Sequence, residues 1–115
     1  MEESILNSTK KILGLENDYT AFDLDIITHI NSAFSLLNQL GIGPTDGFSI
    51  DDSADEWGSY LVPVNQLQLI KTYIYLRVRL LFDPPNTSFL LEAAQKQIQE
   101  YEWRLNVLRE EEAVT

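Results

Sequence analysis

The sequence predicts an all-α fold: one small domain of four helices, with an irregular segment between the second and third. Two observations carry that expectation. Apolar residues recur at spacings of three and four through most of the chain, the period of a helix with one buried face. Glycines and prolines fall between these runs, at Gly14, Gly41 and Pro84-Pro85, where they stop helices. A chain of 115 residues suits a single domain spanning 1–115, with one modest core.

The first helix is expected over Ser4–Leu13, with Ile5, Leu6, Ile12 and Leu13 near one face and Gly14 just past its end. Residues 16–21 read as a polar connection. The second helix, Phe22–Leu40, has the clearest stripe, in Ile26, Ile30, Ala33, Leu37 and Leu40, widened by Ile27 and Phe34. Asp23 and Asp25 sit in its first turn, where carboxylates suit the positive end of the helix dipole. Residues 42–62 carry Gly43, Pro44, Asp46, Gly47 and Gly58, and Asp46-Gly47 before Phe48 and Ile50 allows a short strand or hairpin. A connection this long is uncommon in a compact domain unless it carries function.

The third helix, Pro63–Phe82, is apolar on most sides and so is expected to be buried on most sides, with cover from other subunits. Asp83-Pro84-Pro85 ends it. The fourth, Asn86–Glu111, begins at an Asn86 or Thr87 cap. Its seam of Leu91, Ala94, Ile98, Tyr101, Leu105 and Leu108 resembles a short coiled coil. Residues 110–115 are expected to fray.

Composition excludes several functions. Without cysteine there is no disulfide, no thiolate nucleophile and no thiolate metal site. No apolar stretch approaches a membrane span, and Met1-Glu2-Glu3-Ser4 lacks a signal-like run, so a soluble protein is expected. The formal charge is -10, and the net acidity belongs to the first half: after Lys10 and Lys11 no Lys or Arg appears until Lys71, beyond which the signs mix. A surface without cations does not hold phosphates.

Candidate chemistry is sparse. His29, the single histidine, has Asp25 four residues before it, which suits a surface contact and not a metal site. Asp51, Asp52, Asp55 and Glu56 cluster without the glycine and spacing of a calcium loop. There is no phosphate loop, serine elbow or Cys–His pair, so no enzyme, catalytic residue, metal or cofactor is expected. Tyr73, Tyr75, Arg77 and Arg79 interleave aromatic and basic groups. On an apolar helix they read as core aromatics beside arginines that reach a carboxylate or a partner.

Three stretches carry a family resemblance. They are Phe22-Asp23-Leu24-Asp25 running into Ile30-Asn31-Ser32-Ala33-Phe34, then Leu37 through Gly43, then Lys71-Thr72-Tyr73 leading to Arg79 through Pro85. In this order they resemble the phage head-to-tail connector (adaptor, head-completion) proteins. That resemblance implies a structural virion protein assembled in the host cytoplasm. It implies an oligomeric ring of about a dozen subunits, closed by heterologous interfaces. The ring would dock under the portal protein, extend the DNA channel without sequence-specific binding, and offer a platform to the next connector (stopper) or tail protein. Against it stands a generic helical interaction module, antitoxin-like or regulatory, with no ring.

Site expectations follow. Phe48, Ile50, Trp57 and Tyr60 are large apolar groups in an irregular segment and are expected to pack on a neighbouring subunit or partner. Arg104 and Arg109, near the end of the last helix, are expected from the resemblance to meet portal carboxylates. Asp46, Asp51, Asp52 and Asp55 are expected to line or rim the channel.

Overall fold

A computed structural model describes residues 4–114. Among them are four α-helices, α1 (Ile5–Ile12), α2 (Asp23–Gln39), α3 (Val64–Phe82) and α4 (Ser88–Val114), and one 3-10 turn, Trp57–Ser59. The helix bounds follow the sequence expectation closely because the stop and start signals act as read. Ser4 caps α1, its Oγ accepting from Asn7 N–H at 3.2 Å. Thr87, not Asn86, caps α4, accepting from Leu90 N–H at 3.2 Å. The segment from residue 110, expected to fray, continues as helix to Val114.

Both early helices end in the same motif. Gly14 and Gly41 take φ of +82° and +84°. Leu15 N–H then donates to Lys10 O, and Ile42 N–H to Leu37 O, closing the last carbonyls of each helix.

Helix α3 is central. It packs antiparallel to α2 on one side and to α4 on the other, and α1 rests on α2. Ile70, Tyr73, Ile74 and Val78 of α3 meet Ile26, Ile30, Ala33 and Leu37 of α2 and Ile98 and Leu105 of α4 in one core. Much of the apolar surface of α3 is covered within the chain: Ile70, Tyr73, Ile74 and Val78 are buried, Leu67, Leu69, Tyr75, Leu76, Leu80 and Phe82 are half-buried, and Val64 and Leu81 are exposed. Helix α4 spans about 40 Å at 1.5 Å per residue, close to the full 44 Å length of the molecule.

The hairpin does not form. No strand occurs among the described residues; the single bridge joins Ser4 to Glu56. Gly47 N–H instead donates to Pro44 O, closing a tight turn. The segment then runs extended across α2.

Candidate functional site

The irregular segment is held by α2 through two asparagines. Asn31 grips the backbone of Ile50 from both sides: its Nδ2 donates to Ile50 O at 3.0 Å, and its Oδ1 accepts from Ile50 N–H at 2.8 Å. A side-chain amide thus replaces the neighbouring strand the segment lacks. About two turns on, Asn38 Nδ2 donates to Pro44 O at 2.9 Å. Between them Phe34 forms an aromatic hub, its ring 4.9 Å from Phe48, 4.7 Å from Tyr60 and 6.2 Å from Trp57. Trp57 Nε1 donates to Ser8 Oγ at 2.9 Å, its ring meets Tyr75 edge-on, and the Lys71 ammonium lies 5.4 Å over it.

This corrects the interface expectation. Ile50, Trp57 and Tyr60 are buried inside their own subunit, and Phe48 is half-buried against Phe34 and Tyr60. The size of these groups did signal a need for a dock. The dock is α2, α3 and α1 of the same chain, reached because Asn31 and Asn38 lay the segment along the bundle.

The four acids sit on the outer side of this segment. Asp46, Asp51 and Asp52 are exposed and Asp55 is half-buried. Asp55 Oδ2 accepts from the N–H groups of Asp51 at 2.7 Å and Asp52 at 3.3 Å, and Asp55 O accepts from Ile5 N–H at 3.0 Å. Asp52 Oδ1 accepts from Ala54 N–H at 2.8 Å. Asp52 and Asp55 therefore shape the loop that displays them.

Most cations are engaged. Lys10 is fully buried: its ammonium lies 2.9 Å from Asp23 Oδ1, too oblique for a directed hydrogen bond, and donates to Asn17 O at 3.0 Å. That ties α1 to the start of α2, which its sequence position did not reveal. Arg77 pairs with Glu102, which also accepts from the Tyr73 hydroxyl at 2.7 Å, as an arginine reaching a carboxylate beside a core aromatic should. Arg104 is exposed and paired with Glu100 of its own helix at 2.9 Å. Arg109 lies over Gly41 and donates to Asn106 Oδ1 at 3.0 Å. The expected Asp25–His29 contact is absent: no hydrogen bond or ion pair joins them. No group of three His, Asp or Glu stands ready for a metal among the described residues, and no described helix is long and apolar enough to cross a membrane.

The exposed apolar surface lies elsewhere than expected. At one end of the bundle Tyr19, Phe22 and Phe82 stack in a row of edge-to-face rings, with centroids 5.8 and 5.3 Å apart. Leu81 adjoins them, and Phe89 and Leu90 follow across the Asp83–Thr87 turn; Phe89 is 78% exposed. A second position, Trp103, stands 64% exposed on the outer face of α4. Helical spacing held the clue: with Ile98 and Leu105 facing α3, Trp103 and Phe89 fall on the opposite side of the helix.

Comparison with known proteins returns one relation. The family model described as phage connector protein matches residues 5–112. No curated protein and no solved structure matches the chain.

Proposed function

The chain belongs to the phage connector protein family, a structural family of the virion, and on that premise we propose that it is the adaptor subunit of a head-to-tail connector. It forms a ring docked under the portal, continues the DNA channel, and presents a platform to the next connector or tail protein; assembly takes place in the host cytoplasm. The observation that carries this reading beyond the family is exposed apolar surface at separate places on the chain, two of which are unlike each other. The Tyr19–Phe22–Leu81 end and the Trp103 face of α4 differ in shape and composition. Two unlike patches on one chain suit a heterologous contact, in which each copy offers one patch to the next, and such contacts close into rings. Apolar groups of this size left in water mark association surfaces.

The charge distribution supports passage of DNA without capture. Among the described residues, Lys10, Arg77, Arg104 and Arg109 have carboxylate neighbours and Lys71 covers Trp57. The remaining cations do not form a stripe that could neutralise successive phosphates. We assign Asp46, Asp51, Asp52 and Asp55 to the rim or lining of the channel.

The test is electron microscopy of negatively stained particles after mixing the purified chain with its portal protein. A stacked ring beneath the portal is expected. A chain that remains monomeric and leaves the portal bare at high concentration would refute the adaptor role.

A further inference from the structure

A groove of about 180 Å³ opens at the end of the bundle opposite the Tyr19–Phe22 cluster. It lies between the Gly41–Gly43 loop and the start of α3, lined by Ile42, Val62 and Gln66 and closed by Arg109. Its size is below the roughly 300–1,000 Å³ of small-molecule sites. Its polar groups are unusual. Gln66 lines the groove and is 4% exposed. Arg109 Nε is buried and unpartnered, and so is the Tyr60 hydroxyl, which lies against Gly43. Beside the groove the first turn of α3 has exposed N–H groups at Val64 and Asn65 that no side chain caps. Buried polar groups are almost always paired, so a cluster of unpaired ones calls for a missing partner.

The imbalance has a direction. Arg109 Nε and the helix N–H groups can only donate, the Tyr60 hydroxyl and the Gln66 amide can donate or accept, and the guanidinium and the helix start both favour negative charge. Glu110 stands 3.8 Å from Arg109 Nη2 and leaves Nε unpaired. The rim is apolar, with Leu61 77% exposed and Val64 88% exposed. The fitting occupant therefore offers acceptors and negative charge next to an aliphatic side chain.

We propose that this groove docks an acidic peptide segment of another protein, a Glu or Asp carboxylate meeting Arg109, Gln66 and the start of α3 while a flanking aliphatic side chain covers Leu61. Glycine at 41 and 43 is part of the site. A side chain at 41 would come within 2.7 Å of Arg109 Cδ, and one at 43 within 2.8 Å of the Tyr60 hydroxyl. Bare backbone there leaves room for Arg109 to lie flat and for a peptide to approach. The proposal deepens the assembly reading by naming the chemistry of one partner.

The test is NMR titration of the full chain with a capped pentapeptide, Ser-Leu-Glu-Val-Ser, and with its Gln counterpart. Saturable shifts are expected at Gly41, Gly43, the Gln66 side-chain amide and Arg109 Nε–H with the Glu peptide. Arg109→Gln and Gln66→Met should each weaken binding about tenfold while the spectrum stays dispersed, and Arg109→Lys should restore part of it. Equal binding of the Gln peptide, or no saturable shift with either, would overturn the proposal. The same shifts growing with protein concentration alone would give the groove to a second copy; their loss in a Glu2→Gln, Glu3→Gln chain without peptide would give it to the N-terminal segment. Either result overturns a foreign partner. Peptide binding with no ring on the portal would count against the adaptor role alone.

Discussion

The grip of Asn31 on Ile50 is open to direct measurement. Asn31→Ala removes two hydrogen bonds of 2.8 and 3.0 Å. Each contributes about 1 kcal/mol net, and each leaves a backbone group of Ile50 without a partner. Ile50 is 1% exposed, so its N–H and C=O recover water only if the segment lifts. Lifting would in turn uncover Phe48 and Tyr60 from Phe34. The expected cost is about 2–4 kcal/mol, a large share of the roughly 5–15 kcal/mol available to a domain of this size. Asn31→Asp separates the two bonds. The acceptor for Ile50 N–H survives, but a carboxylate oxygen now faces the Ile50 carbonyl where a donor stood. It should cost about 1–3 kcal/mol at neutral pH, and less in acid, where a protonated carboxyl can donate. Urea unfolding followed by tryptophan fluorescence gives both values, and amide exchange at Ile50 reports the local opening. An Asn31→Ala chain within about 0.5 kcal/mol of the parent would show that the segment is held by packing alone.

Other consequences follow from the same geometry. Gly43→Ala should destabilise more than Gly14→Ala: both positions have positive φ, but only at Gly43 does the new Cβ strike another group, the Tyr60 hydroxyl, so equal losses in urea unfolding would contradict the packing. Burial raises the Tyr60 hydroxyl to about 12 and, with the Glu102 hydrogen bond second, raises Tyr73 further. The fold thus favours neutral phenols, and their stabilisation is complete below the unfolded value of about 10 and lost as pH rises through the folded values. Stability should fall by roughly 1–3 kcal/mol above pH 10, and Tyr73→Phe should flatten that fall; an unchanged slope would refute the assignment. Phe89→Ser with Trp103→Ser should change stability by under about 1 kcal/mol, since both are exposed, yet reduce ring formation in sizing chromatography with the portal. Unimpaired rings would move the subunit contact elsewhere.

Helix positions were legible because their signals are local. Gly14 and Gly41 stop helices through their own φ, and Ser4 and Thr87 each cap through an N–H three residues on. The path of residues 42–62 was not legible, because its constraints cross from α2. Asn31 and Asn38 lie on a helix, where an asparagine reads as a polar surface residue, and nothing in spacing says that each will hold a segment 6 or 19 residues onward. The error about Trp57 has the same origin. Its apolar bulk correctly demanded cover, but cover by Phe34, Ser8, Lys71 and Tyr75 depends on where the two asparagines lay the chain. Lys10 is a parallel case: a lysine beside Lys11 reads as solvated, and its burial rests on Asp23 and Asn17 arriving together.

The channel assignment can be tested without disturbing the loop, provided the acids are chosen by what they hold. Asp55 accepts from two backbone N–H groups and Asp52 from one, so reversing either would reshape the loop and confuse the result. The side chains of Asp46 and Asp51 are exposed and make no such bond, which leaves their charge free to act on a passing polymer. Asn38, Asn31 and Asp55 fix the backbone around them, so Asp46→Lys with Asp51→Lys changes the field and little else. In a ring the substitution repeats in every subunit, turning an acidic rim into a cationic one. DNA would then bind through counterion release as it slides. We predict normal rings and slower ejection, with the delay shrinking as salt rises because the new attraction is screened. The parent ring should show the opposite salt trend in assembly, strengthening as its crowded acids are screened. Ejection at the parent rate from fully assembled particles would place these acids on the outer wall, where they serve solubility alone.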